Sequence, residues 1–328
     1  MTAVRVLLAA LACAVVLGAG DVAIRLGRSA RQRALEAEPA YRAYRERAAE
    51  LARFYETTRR KRKHCPRENV PGVRAVLRGV TYAYNDEGLR DDRPAPRVKP
   101  PGERRVALLG DSVAQGLYVP VEATCARAME RHLPATRVLN FAVDGLATLE
   151  EYMVFEQRAL AFAPDAAVLL VCMDDLFERA RVGEPAPPPD RLAAWRERSA
   201  VLDFVLDHLT TTALPGVSWD AFAHNFTALA DLARRRGVPL VVAVAPLFPA
   251  GAAPWAPYER RVRELAQASG ARAVDLWPRF AGPGAERLFV TPEESFLYPR
   301  DHWHPSAAGH AIIGAALADA VRALPPWH

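Results

Sequence analysis

Cysteine is scarce in this chain: Cys13, Cys65, Cys125 and Cys172 are its four, none in a C-x-x-C pair or at a ligand spacing. A disulfide framework finds no support there, and neither does a cysteine-built metal centre. Also missing are G-x-G-x-x-G and G-x-x-x-x-G-K, so no nucleotide cofactor is implied. His302, His304 and His310 lie close together, but a helical turn would spread them over different faces. No cysteine or acidic cluster completes a coordination set, so no metal is expected. The N-terminal apolar run, Val6 to Gly20, has fifteen residues without a charge. That is short of the roughly 20 of a comfortable membrane span and at the upper end of the roughly 7 to 15 of a signal-peptide core. Both readings, anchor or signal segment, stand for residues 1–26.

What is present is ordinary for a folded protein. Hydrophobic residues make up 51% of the 328 and charged ones 25%, which argues against general disorder and for one sizeable α/β domain with an appendage. Net charge is +5, with its densest basic run at Arg59-Arg60-Lys61-Arg62-Lys63-His64. The run is short and has no aromatic-interleaved recognition fold around it, so it reads as a solvated loop. Nucleic acid is not expected, and an anionic membrane surface is the better minority partner.

From Ser29 to Thr58 the chain alternates Ala, Arg and Glu, with Tyr41, Tyr44, Leu51 and Phe54 at near-helical intervals, which reads as a helical stalk. Pro94 to Pro101 follows as an extended, proline-rich connector. The expected organisation is an anchor or signal segment over 1–26, stalk and connector over 27–100, and the main α/β domain over 101–328. Within the last, Arg105–Leu109, Arg137–Phe141, Ala166–Cys172, Leu240–Ala245 and Arg272–Asp275 read as strands. Helical stretches at Val121–His132, Asp220–Arg236 and Tyr258–Ser269 alternate with them. Right-handed crossovers then give an α/β fold, a three-layer α/β/α sandwich around a five-stranded parallel sheet.

Two clusters carry chemistry. Gly110-Asp111-Ser112 breaks the first strand at its carboxyl end, the edge of an open parallel sheet where ligands bind. Asp301-His302-Trp303-His304-Pro305 comes almost two hundred residues later. A serine hydroxyl is a poor nucleophile until an imidazole takes its proton and a carboxylate holds that imidazole in the right tautomer, and Ser112, His304 and Asp301 supply the three roles. Asp111 reads as a turn-fixing residue, and Pro305 suits the first turn of a closing helix. Ser112 taken alone could equally be a helix N-cap.

Two further segments fit the scheme: Asn140-Phe141-Ala142-Val143-Asp144-Gly145 after the second strand, and Met173-Asp174-Asp175-Leu176 after the third. In this order the set resembles the SGNH/GDSL hydrolase superfamily. The resemblance covers Asn85 to the C-terminus and begins with Asn85-Asp86-Glu87-Gly88-Leu89-Arg90, similar to the N-x-x-G-L-R of membrane-anchored bacterial members.

The resemblance implies a flavodoxin-like strand order 2-1-3-4-5 and an exported or membrane-anchored catalytic domain outside the cytoplasm. Against it, the positive-inside rule would keep Arg25, Arg28, Arg31 and Arg33 cytoplasmic. It further implies Ser112 as nucleophile, with its own amide and that of Gly145 as oxyanion donors. The third donor in the family is an Asn side chain, and here the matching residue is Asp174. An ionised carboxylate cannot donate, and losing one such donor costs about a hundred- to thousandfold in rate. Three readings stand: Asp174 is kept protonated by an apolar site, it points away and leaves a slower enzyme, or the site binds without turnover.

The function implied is a serine esterase acting on an O-acetylated glycan, a small ester or a lipid. Acyl transfer to a glycan and a non-catalytic carbohydrate-binding module are the alternatives. The insertion from Arg179 to Ser218 is a candidate lid or acyl-group selector over the crevice, with Trp195 and Phe204 either lining an apolar pocket or, the favoured role, packing against the domain.

Overall fold

A computed structural model of the chain describes residues 2–61, 67–178, 180–184, 198–201, 218–296, 301–325 and 327, without the side chains of 2–16, 174, 250 and 251. In chain order the strands are β1 (Arg59–Arg60), β2 (Glu68–Asn69), β3 (Arg74–Leu77), β4 (Val80–Ala83), β5 (Arg104–Gly110), β6 (Thr136–Asn140), β7 (Ala166–Val171), β8 (Leu240–Val244) and β9 (Arg272–Val274). The first helices are α1 (Thr2–Ala37), α2 (Pro39–Thr58), α3 (Ser112–Gln115), α4 (Cys125–His132) and α5 (Thr148–Gln157).

The sheet is the one expected. Five parallel strands lie in the order β6-β5-β7-β8-β9, which is 2-1-3-4-5, with Val106 beside Val138 on one side and Ala166 on the other. β7 is buried along its whole length, as a strand covered by helices on both faces must be. Because side chains alternate across a strand, Val106, Leu108, Val168, Leu170, Val241 and Ala243 share one face. They pack there with Cys125, Met129, Ile313 and Leu317 from α4 and the closing helix Ala307–Arg322. The alternate residues face the other layer, where α5 meets the helix Trp219–Arg235.

Several boundaries differ from expectation. The stretch Val121–His132 is not one helix: a 3-10 turn at Val121–Ala123 ends at Thr124, whose Oγ1 caps α4 by accepting from Arg127 N at 3.4 Å. Pro305 lies outside the closing helix, which starts after the N-cap Ser306. The stalk is helical but broken between Ala37 and Pro39, because the residue before a proline is driven out of helical conformation while the proline suits the first helical position.

The expected boundary near residue 100 is displaced. By their contacts the residues divide into Arg47–Ala186 with Ser218–His328, and Met1–Glu46 with Pro187–Val217. Residues 47–100 thus belong with the sheet, where Phe54, Leu77, Tyr82 and Tyr84 form a second apolar cluster with Leu117 and Phe296. The run Val6–Gly20 lies within α1, and among the described residues no helix is long and apolar enough to cross a membrane. Trp195 and Phe204 of the expected lid lie outside the described residues.

Candidate active site

Gly110 closes β5 in a conformation that excludes a side chain. Its φ is 144°, and a Cβ there would stand 2.6 Å from Ala114 Cβ and 2.9 Å from Leu170 O. The chain turns at Asp111, which caps α3 by accepting from Val113 N at 2.9 Å. Asp111 rather than Ser112 is thus the N-cap, and Ser112 begins the helix at the carboxyl end of β5.

Ser112 Oγ lies 2.9 Å from His304 Nε2, and His304 Nδ1 lies 2.8 Å from Asp301 Oδ2. All three residues are buried. The other Asp301 oxygen accepts from the amides of Trp303 and His304 at 2.9 and 3.0 Å, while Ser295 Oγ donates to Oδ2 at 2.6 Å. Burial alone would raise the Asp301 carboxyl, but His304 and these donors hold it down at about 2. Burial pulls His304 the other way, towards neutrality, and Asp301, aided by Asp111 and Asp144, outweighs it and raises the imidazole above its ordinary value. With an ionised acceptor at Nδ1, that nitrogen carries the proton and Nε2 is left to accept from the Ser112 hydroxyl. Such a chain can draw the serine proton onto the imidazole as the oxygen attacks a carbonyl.

The Gly145 turn is brought beside this line by two bonds that extend the sheet, Phe141 N to Leu108 O at 2.9 Å and Val143 N to Gly110 O at 3.3 Å. Gly145 has φ 76°, and a Cβ there would collide with the Arg67 guanidinium. Among the described residues neither its amide nor that of Ser112 donates to a protein backbone acceptor. Asp174 follows β7 in the 3-10 turn Met173–Phe177, and its side chain lies outside the described residues. Asp175 is buried and accepts from Cys172 N at 2.9 Å, which ties the turn to the strand end.

Sequence reading missed Ser295, Tyr118, Asp144, Tyr55 and Arg59. The Tyr118 ring meets His304 edge-on, 4.9 Å between centroids, from a backbone at φ 70° that non-glycine residues rarely adopt. Tyr82 holds that backbone by accepting from Tyr118 N at 2.7 Å. Arg90, the last residue of Asn85–Arg90, is buried with its guanidinium 4.4 Å from the Tyr82 ring centre and donates to Val119 O at 3.1 Å. Asp144 accepts on Oδ2 from Tyr55 Oη and from Arg59. Arg59 is therefore no part of a solvated loop, and neither is Arg60, which pairs with Glu68 at 2.9 Å. Nothing in a basic run signals such partners, which come from distant elements. The three histidines diverge: His304 faces Ser112, while the buried His310 accepts from Cys125 N at 3.3 Å and is pushed by burial down to about 3. Among the described residues no group of His, Cys, Asp or Glu is placed to hold a metal.

No curated protein matches the chain. Among solved structures it is similar to a GDSL-like lipase of Bacteroides thetaiotaomicron, at 15% identity and TM-score 0.41, over 69% of this chain and 92% of that one. It is likewise similar to an acetyl-xylooligosaccharide esterase of Geobacillus stearothermophilus, at 14% identity and TM-score 0.44, over 66% and 94%. The model of the GDSL-like Lipase/Acylhydrolase family matches residues 108–312, more than half of the chain and every residue from Gly110 to His304, so this protein belongs to that family.

Proposed function

We propose that the protein is a serine esterase that cleaves a carboxylic ester through an acyl-enzyme. Ser112 is the nucleophile, His304 the base that takes its proton and later returns it to the leaving group, and Asp301 the carboxylate that orients His304. The observation that carries this reading is the unbroken, buried line from Ser112 Oγ through His304 to Asp301 at 2.9 and 2.8 Å, assembled from residues 192 positions apart. The Ser112 and Gly145 amides are the oxyanion donors in this reading, and Asp174 replaces the third, which makes a slower enzyme about a hundred- to thousandfold below a fully equipped one. The substrate class is an O-acetylated glycan, a small ester or a lipid.

The test is covalent labelling with a fluorophosphonate, which reports an activated serine without a known substrate. Labelling confined to Ser112, and lost in folded Ser112→Ala and His304→Ala variants, is the expected result. A folded wild-type chain that does not label removes the esterase reading and leaves the carbohydrate-binding one.

A further inference from the structure

The turn that carries Gly145 is held by groups upstream of the stretch matched by the family. Asp144 accepts on one oxygen from both the Tyr55 phenol and the Arg59 guanidinium. Arg59 also lies over the Tyr55 ring, 3.3 Å from its centre, so the three groups close a triangle. Arg67 donates to the Gly145 carbonyl. Asn69 links the same segment to α3, donating to Ala142 O at 3.4 Å and accepting from Gln115 Nε2 at 3.1 Å. The peptides on both sides of Gly145 are thereby pinned.

An ionised carboxylate is awkward at this place. Asp144 is one residue from an amide aimed at developing negative charge, and it acts on His304 across the site. Alone, it would oppose an oxyanion and make His304 more basic. The groups that face His304 are Asp301 and Ser295 around its own loop, Asp111 from the turn after β5, Asp144 from the turn after β6, Tyr118 edge-on, and His310 from the closing helix. Burial would raise the Asp144 carboxyl, but Arg59 and Tyr55 hold it below its ordinary value, so it stays ionised and paired.

We infer that Tyr55 and Arg59 are positioning residues of the esterase: by clamping Asp144 they hold the Gly145 amide on the oxyanion and cancel the carboxylate's field. The inference rests on the esterase reading. It makes the end of α2 and β1 part of the site's machinery, although neither touches substrate.

The experiment is a double-mutant cycle on the rate constant for fluorophosphonate labelling of Ser112 in the full chain. Arg59→Ala slows labelling about ten- to a hundredfold, short of the full cost of an oxyanion donor, and Asp144→Asn slows it less. Adding Arg59→Ala to Asp144→Asn slows it no further, because no carboxylate is left to clamp or cancel. Additive losses, or a wild-type rate in Arg59→Ala, overturn the proposal. Should Arg59→Ala not fold, Tyr55→Phe removes only the phenol donor and carries the expectation of about a tenfold loss, with a wild-type rate again overturning it. Titration of His304 by NMR needs no turnover. Arg59→Ala leaves the Asp144 carboxylate uncancelled and raises the imidazole's pKa, and an unmoved value overturns the proposal. A wild-type chain that fails to label defeats the esterase reading, while the titration still decides on the clamp.

Discussion

Asp301 shares two oxygens among four donors, and the sharing sets what each donor is worth. Ser295 Oγ and His304 Nδ1 meet on the same oxygen, so the serine fixes the carboxylate against the imidazole. A hydrogen bond to a charged group contributes about 1.5–3 kcal/mol. Ser295→Ala is therefore expected to lower kcat about tenfold with KM little changed, measured on a p-nitrophenyl ester. The raised His304 has its own consequence. The protonated imidazole cannot accept from Ser112, so the acid limb of kcat/KM against pH falls at a value above the roughly 6.5 of free histidine. A limb below that value contradicts the geometry. The same shift stabilises the fold fully below about pH 6.5, and the contribution is lost as pH rises through the His304 value. At this scale Ser112, Asp301 and His304 were legible because each sits in a short motif whose spacing has a chemical reason. Ser295 was not, since nothing in Glu293-Glu294-Ser295 points to a carboxylate six residues on.

The central strands β5, β7 and β8 were legible because each is a short apolar run buried on both faces, a pattern that survives without knowledge of its neighbours. Arg137–Phe141 became Thr136–Asn140 and Leu240–Ala245 became Leu240–Val244, shifts within the usual fraying of element ends. Helix interruptions at Thr124 and between α1 and α2 were hidden, because a cap and a proline act on hydrogen bonds rather than on hydrophobic period. The junction of β5 with α3 leaves no room for a side chain. Gly110→Ala combines a disfavoured backbone with contacts at 2.6 and 2.9 Å and is expected to cost about 2–4 kcal/mol, read as a lower midpoint in urea denaturation. A wild-type midpoint would mean that Leu170 and Ala114 can move aside.

For the whole molecule, the division of the chain makes a sharp expectation. Every group placed at the site lies within Arg47–Ala186 and Ser218–His328, so a chain starting at Arg47 is expected to keep its melting temperature and its Ser112 labelling. One starting at residue 101 loses Tyr55, Arg59, Tyr82 and Arg90, and with them the supports of the Gly145 turn and of Tyr118; its labelling is expected to fall below detection. Equal labelling of both fragments would show that residues 47–100 are only a cover. The proline-rich stretch before β5 suggested a boundary because composition reports a change of local stiffness, whereas the cluster of Phe54, Tyr82 and Leu117 is built from residues far apart in the chain. The distance between the two halves of the line at Ser112 also has a meaning in time. Ribosomes add about 5–20 residues per second, so the serine emerges about ten to forty seconds before the imidazole 192 residues later that would activate it. On the esterase reading, the growing polypeptide for that interval carries a nucleophile with no base, and it meets the esters of the cell as a chemically silent chain.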